Sequence, residues 1–314
     1  MDITSIGELL IDLTSAGVNG NGVALYAANP GGAPANVAAA AARLGAHAAF
    51  IGRVGDDYFG RSAADCLRRC GVDTRGVAYD PSAPTTLAVV SLDERGERSF
   101  QFYRSMGADI RLSRGDIPED LVKSSSVLHF GSLSLTHESC REALMYALEL
   151  AESCGVIRSY DANYRANLWP DEVSAVAQMR SLLPHADIVK LSAEELQLLS
   201  GSGGDVESAA RSILDFGCSL LFVTQGKDGA RWFTPLAEGR AFSPAVEAAD
   251  TNGAGDSFMG AALTKLCHVP RARLAGLDAG FLNGVTDYAC RAAALTCTRS
   301  GTIPALPDAS ELGG

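Results

Sequence analysis

The strongest constraint on this chain is a pattern that returns four times without sequence identity: a helical stretch ends at a glycine, and a short apolar run follows. "ANVAAAAARLG" leads into "AHAAFIG", "SAADCLRRCG" into "VDTRGVAY", "REALMYALELAESCG" into "VIRSYDAN", and "ARSILDFG" into "CSLLFVTQG". Glycine closes a helix in the left-handed conformation at little steric cost. Apolar runs of four to six residues with little polar alternation are strands buried on both faces. Helices alternating with such strands predict an α/β fold, a doubly wound and mostly parallel sheet with helices on both faces.

Two segments depart from the pattern. "TTLAVVSL" (85–92), the polar turn "DERGE" and "RSFQFYR" (98–104) predict an antiparallel hairpin with Phe100 and Phe102 on one face. "LLIDLTSAGVNGNGVALYAANPGG" (9–32) has strand-like ends around a glycine-rich turn. The expectation is a single domain over residues 1–314, carrying a small β lid formed by about 10–30 and 84–106. A lid serves reactions that must exclude water.

Composition narrows the function. With 47% hydrophobic and 20% charged residues, the 314-residue chain can bury a large core. A net charge of −11 argues against a nucleic-acid partner. The opening "MDITSIGELLID" has no basic n-region, so it does not read as a signal peptide. The longest apolar region, 33–51, is broken by Arg43, Gly45 and His47, and no membrane span is expected. Eight scattered cysteines show no paired zinc spacing, and neither do the five histidines; reduced thiols and a cytoplasmic location are expected. His129, inside "SVLHFGSL", reads as a satisfied core residue.

In doubly wound sheets, ligands bind beyond the carboxyl ends of the strands. Polar residues just after the apolar runs are therefore the candidates: Asp12; Asp161 with Asn163 and Arg165; Lys190 with Ser192 and Glu195; Thr224 with Gly226. A fifth place is "DTNGAGDSF" (250–258), which opens a helix-like pattern. The amides of Gly253, Ala254 and Gly255 can approach a ligand closely at a helix N-terminus, where donors are unpaired and the dipole favours anions. Asp256 beside them can take the proton of an attacking hydroxyl. A turn with an acidic cap explains the same residues. No "GK[ST]" follows, so this is not a Walker loop.

The other segments also admit two readings. In "NPGGAPANVAAAAARLG" (29–45), Gly31 and Gly32 allow close backbone approach and Asn36 can exchange hydrogen bonds with hydroxyls, or the stretch is only a turn before a core helix. Arg165 can grip a phosphate or sugar oxygen, or lie on the surface. Ser192 and Glu195 form a capping box by spacing, and Glu195 can also orient Mg²⁺ through water. "VTQGKDGA" (223–230) fits a hairpin turn or a loop under a nucleotide.

Taken in order along the chain, these segments resemble the ribokinase-like (PfkB) carbohydrate kinases, and among them the fructokinases. The resemblance rests on "GGAPANVAAAAARLG" and "DTNGAGDSFMGA", the two signatures, and on "IGRVGDDYFG", "TTLAVVSLDERGERSFQFYR", "HFGSLSL", "DANYRANLW" and "DIVKLSAEEL" in the same order. It spans nearly the whole chain, from "GELLID" to "GTIPALP". It implies MgATP-dependent phosphorylation of a sugar hydroxyl. Asp256 would be the base, with Gly253, Ala254 and Gly255 as anion hole. Asp12, Gly31, Gly32, Asn36, Arg104 and Arg165 would hold the sugar, with Tyr103 nearby. Asn163, Lys190, Ser192, Glu195, Thr224, Gly226, Gly229 and Asn283 would line the nucleotide side. Asp250 and Asn252, with carbonyls of Thr296, Arg299 and Gly301, fall where such kinases often hold a monovalent cation such as K⁺.

The chain departs from the family pattern in four places. Asn252 stands where Thr is usual, Ala162 replaces a Pro, and Ser192 replaces a common Asn. Leu282 precedes Asn283 where a small residue is usual, which implies a narrower adenine pocket. The expected activity is conversion of fructose to fructose 6-phosphate. A 2-keto-3-deoxygluconate kinase is the near alternative and a non-catalytic regulatory protein the remote one; exposed lid strands leave a homodimer open.

Overall fold

The computed structural model describes residues 1–92, 98–201 and 203–313. In chain order the elements are β1 (Ile3–Ile6), β2 (Leu10–Val18), β3 (Ala24–Gly31), α1 (Ala33–Arg43), β4 (Ala48–Gly55), α2 (Tyr58–Arg69), β5 (Asp73–Asp80), β6 (Leu87–Leu92) and β7 (Arg98–Tyr103). There follow α3 (Glu119–Lys123), β8 (Val127–Gly131), α4 (Glu138–Ser153), β9 (Ile157–Asp161), α5 (Glu172–Leu182), β10 (Ile188–Ser192), α6 (Ala193–Ser200), α7 (Val206–Leu214) and β11 (Leu220–Thr224). The last are β12 (Ala230–Phe233), β13 (Glu238–Ala241), α8 (Ala254–Leu266) and α9 (Ala279–Cys297).

The large sheet runs β13-β12-β11-β10-β9-β8-β1-β4-β5, parallel except for the antiparallel edge β11-β12-β13. Its central strands are buried along their length, as their unbroken apolar runs predict. On one face, Phe130 and Tyr160 stack beneath α4, α5 and α6. On the other, Phe222 meets Phe258 of α8 edge-on. His129 is fully buried, and its Nδ1 pairs with Ser159 Oγ at 3.0 Å; burial, with Lys190 nearby, pushes its pKa down to about 3, so the ring is neutral.

The second sheet has four strands in the order β3-β2-β6-β7. It is built from residues 10–18, 24–31, 87–92 and 98–103, with β6 and β7 antiparallel. The "DERGE" turn and the side chain of Phe100 lie outside the described residues. No helix among the described residues is long and apolar enough to cross a membrane.

The run of alanines in α1 has a positional purpose. A Cβ on Gly260 of α8 would come within 2.5 Å of Ala40 Cβ, so α1 and α8 pack with almost no side chain between them. Small residues on both helices thus bring their two N-termini, at Gly32 and Gly253, to one place beyond the sheet.

Candidate active site

Gly253 begins α8 with φ 73°, a conformation that favours glycine, and a Cβ there would meet Thr302 Cγ2 at 2.4 Å. The next three residues, Ala254, Gly255 and Asp256, are the first turn, whose amides lack acceptors within the helix. Ala254 N–H leans on the Thr251 carbonyl at 3.4 Å. The cradle reading of "NGAGD" therefore has its geometry: a bare backbone turn opening a helix of 13 residues.

Asp256 is buried, and two amides hold it. Asn36 Nδ2 donates to Oδ2 at 2.7 Å and Asn163 Nδ2 to Oδ1 at 3.3 Å. Burial, then the charge of Asp161, raises its pKa to about 6, against the opposing pull of Asn36, Lys190 and Arg165. Asn163 sits in the left-handed region with φ 43°, which asparagine tolerates better than most residues.

Two cavities meet at Asp256. A large cleft of about 760 Å³ is bordered by Lys190, Ser192, Glu195, Thr224, Gly226 and Gly255, among others. A small cavity of about 60 Å³ is bordered by Asp12, Gly32, Asn36, Phe102 and Thr302, among others. Asn163, Arg165, Asn252, Gly253 and Asp256 border both. The carboxylate thus stands at the neck between a roomy compartment and a snug one.

The small cavity is polar and preformed. A Cβ on Gly31 would strike Asp12 Oδ2 at 2.5 Å and lie 4.0 Å from Asn36 Oδ1, so Gly31 keeps those two oxygens clear. Asn36 Oδ1 is buried with no hydrogen-bond partner, an acceptor suited to a ligand hydroxyl. Gly32 adopts φ 115°, and a Cβ there would sit 2.4 Å from the Glu8 carbonyl oxygen. Burial raises the Asp12 pKa to about 7, with Arg165 opposing.

The cleft side is braced by charge. Lys190 Nζ contacts both Asp161 oxygens, at 3.2 and 3.1 Å, and lies beneath Gly255. Burial would lower the lysine pKa, but Asp161 more than offsets this and holds it raised. The capping box at Ser192 and Glu195 is present. Both Glu195 oxygens already accept backbone amides, of Tyr164 and Ser192, each at 2.7 Å. The "VTQGKDGA" loop serves both readings: it turns β11 into β12, and Thr224, Gln225 and Gly226 border the cleft.

A side cavity of about 110 Å³ opens between Thr224, Gly226, Gly229, Phe258, Cys290 and Ala293. Here the structure corrects the sequence reading. Asn283 does not border it; its Oδ1 accepts the Trp232 indole N–H at 2.9 Å. The α9 residues that face the cavity are Cys290 and Ala293, and Cys290 is seven residues, or two turns, further along the same helix face. Leu282 is packed in the core, so it narrows nothing.

Two lid residues also stand elsewhere than expected. Tyr103 is 58% exposed, while its neighbour Phe102 borders the small cavity, because strand residues alternate faces. Arg104 is buried against Asp109, with Nε to Oδ2 at 2.6 Å, and also donates to Thr136 Oγ1 and the Leu133 carbonyl. It supports the cavity wall rather than bordering the cavity. The sequence reading missed Glu8, whose Oε1 accepts the Ala33 amide at 2.9 Å; burial raises its pKa to about 7. Its position in "GELLID", four residues before Asp12, was the available signal.

Of the residues assigned to a monovalent cation, Asp250, Asn252 and Gly301 converge: Asp250 accepts the Asn252 amide at 2.7 Å and the Gly301 amide at 3.2 Å. The Thr296 carbonyl takes the Arg299 amide at 3.2 Å, and the Arg299 side chain turns away to pair with Glu311.

Comparison with known proteins agrees with this geometry. Residues 1–309 match the model of the pfkB family carbohydrate kinases. The chain is 43% identical over 311 residues to fructokinase-2 of Solanum habrochaites, covering 98% of this chain and 94% of that protein. It is 42% identical to the probable fructokinase-4 of Arabidopsis thaliana, covering 99% and 95%. Its fold superposes on the ATP-bound fructokinase of Xylella fastidiosa with TM-score 0.92 at 32% identity, covering 99% and 97%. The Vibrio cholerae O395 fructokinase, bound to fructose, ADP and calcium, gives 0.88 at 35% identity, with the same coverage. With a family match over almost its entire length, a bare backbone turn opening α8 and a buried carboxylate beside it, the chain belongs to the pfkB family of carbohydrate kinases.

Proposed function

We propose that the protein is an ATP-dependent fructokinase that transfers the γ-phosphoryl group of ATP to a primary hydroxyl of fructose, giving fructose 6-phosphate. The observation that carries this reading is Asp256 at the neck between the large cleft and the small polar cavity. The sugar occupies the small cavity, with hydroxyls on Asp12 and Asn36 and a ring face toward Phe102. That cavity is bordered by the carboxyls of Glu8, Asp12 and Asp256 and by the arginine Arg165. This balance suits a neutral polyol better than an anionic keto acid, which needs further cations. ATP lies along the cleft with its base toward Cys290 and Ala293 and its phosphates toward the amides of Gly253, Ala254 and Gly255.

In the reaction the sugar oxygen forms a bond to the γ-phosphorus while the bond to the β,γ-bridging oxygen breaks. The hydroxyl proton passes to Asp256, and the α8 amides stabilise charge on the transferring group. Mg²⁺, when bound, offsets the phosphate charge and keeps several of its own waters. Glu195 fits that ion through water, because direct coordination would strip its two oxygens from the backbone amides they accept. A K⁺ ion beside Asp250 and Asn252 would steady the loop beneath the anion hole. Phosphorylation assays with MgATP across fructose, 2-keto-3-deoxygluconate, glucose and ribose, in K⁺ or in tetramethylammonium, should show turnover centred on fructose and raised by K⁺. Preference for the keto acid would displace the substrate, and a folded, ATP-binding sample with no turnover would displace the activity.

Val18, Leu25 and Tyr26 on the lid strands, with Val23 in the turn between β2 and β3, are exposed, which supports a homodimer formed through the lid. Light scattering should return twice the chain mass, and a monomer at all concentrations would sink that assembly.

A further inference from the structure

At the far end of α8, opposite the anion cradle, the fold gathers Asp2, His47, Cys267 and His268. They come from three separate places in the chain: the residue before β1, the turn before β4, and the two residues after α8. One ligand atom each from Asp2, Cys267 and His268 lies within 4.8 Å of the others. His47 joins through Asp2, with Nδ1 3.3 Å from Oδ2. Two ligand atoms bound at about 2.0–2.1 Å to a tetrahedral Zn²⁺ stand about 3.3 Å apart. The Asp2–His47 contact already has that spacing.

The cluster is fixed by backbone, not only by side-chain rotation. The Asp2 amide donates to the His47 carbonyl at 2.9 Å, and the His47 amide donates to the Asp2 side-chain Oδ2 at 2.8 Å. Cys267 is 3% exposed and closes α8, its amide on the Leu263 carbonyl at 2.8 Å. A helix C-terminus carries partial negative charge and favours a cation. The Cys267 sulfur lies beside Asp2 at this end of the helix, and a coordinating thiol gives up its proton to a divalent cation.

We propose that Asp2, Cys267 and His268 form a structural Zn²⁺ site, its fourth position completed by a water or by the neighbouring His47, that ties the first strand to the end of α8. Thiolate, imidazole and carboxylate together select zinc over magnesium or calcium. Binding replaces the Cys267 S–H bond with a zinc–sulfur bond and releases that proton to water; the imidazoles bind neutral. The site lies about 20 Å from the cradle, the length of the 13-residue helix between them.

The test is calorimetric titration of untagged full-length protein with ZnCl₂, paired with Co²⁺ difference spectra. The expected result is one ion per chain, about one proton released, a thiolate-to-cobalt charge-transfer band, and a higher melting temperature with zinc. Cys267→Ser should abolish the band, and the variants Asp2→Asn and His268→Ala should each weaken zinc at least about tenfold. Glu195→Gln should leave the stoichiometry at one, since it alters only the nucleotide cleft. Absence of binding at micromolar zinc, an undiminished band in folded Cys267→Ser, unchanged affinity in both Asp2→Asn and His268→Ala, or loss of binding in Glu195→Gln would each overturn the site.

Discussion

Asp256→Asn should lower kcat by about 10³, within the 10²–10⁴ range of a lost general base, while the KM for fructose stays within about twofold. The amide keeps the size of the carboxylate and cannot take the sugar proton. The Asn36 and Asn163 amides both donate to Asp256, so the new side chain needs one of them to turn. Asn163 is the one to turn, since its bond to Asp256 is the longer at 3.3 Å and Asn36 Oδ1 stays free for the sugar hydroxyl.

Stability should move the other way. The Asp256 pKa is raised from 3.8 to about 6, so the folded state disfavours the charged form. The folded state then binds more protons than the unfolded state between those two values, and stability falls as pH rises through that window. The penalty is complete above about pH 6 and absent below 3.8. Two pK units set an upper bound of about 3 kcal/mol, and one weakened hydrogen bond offsets about 1 kcal/mol of it. Asp256→Asn should therefore melt a few degrees higher than the parent protein at pH 8, with the gap closing toward pH 4. Parent activity should fall about tenfold per pH unit below pH 6, as the base becomes protonated. A variant with near-parental kcat, or a parent profile flat from pH 5 to 8, would remove Asp256 from the base role.

How far the sequence foretells this site depends on which periodicity carries each residue. The strand–helix alternation is carried by long apolar runs and glycine stops, and it yields the sheet and brings Asn163, Lys190 and Thr224 to the carboxyl ends of β9, β10 and β11; Asp12 instead lies within β2 of the lid. Gly253 to Asp256 are legible because only a bare turn opening a helix makes sense of such residues. Errors arise where a period leaves one degree of freedom open. Asn283 lies on the correct face of α9, but a helix repeats that face every seven residues, and Cys290 is the repeat at the cavity. Tyr103 is one residue from Phe102, and in a strand one residue reverses the face. The Asp2, Cys267 and His268 cluster has no local signature at all, since its spacing exists only after the sheet and α8 have packed.

Arg104 presents the sharpest contrast between the two readings, and Arg104→Met should separate them. If the guanidinium held the sugar, the variant would raise the fructose KM and leave the melting temperature alone. The structure instead buries Arg104 and Asp109 together, with side chains 5% and 1% exposed. Burial works against the charged arginine, but Asp109 holds its pKa above the ordinary value. Methionine fills the space yet leaves the Asp109 carboxylate in the interior with Thr86 as its remaining side-chain partner. Breaking one side of a buried pair costs about 3–5 kcal/mol, because the other charge is left uncompensated. At about 2–4 °C per kcal/mol for a chain of this size, the melting temperature should drop by about ten degrees. The Leu133 carbonyl and the Thr136 hydroxyl would also lose their bonds from Arg104, though the Leu133 carbonyl keeps its two from Thr136, so a small rise in KM should accompany the loss. The double variant Arg104→Met with Asp109→Leu decides the cause. It removes both charges and should recover several degrees, since a buried pair replaced by apolar groups is often neutral in stability. Recovery of the melting temperature without recovery of KM would assign Arg104 to the wall of the sugar cavity, and an unchanged melting temperature in the single variant would return it to the sugar.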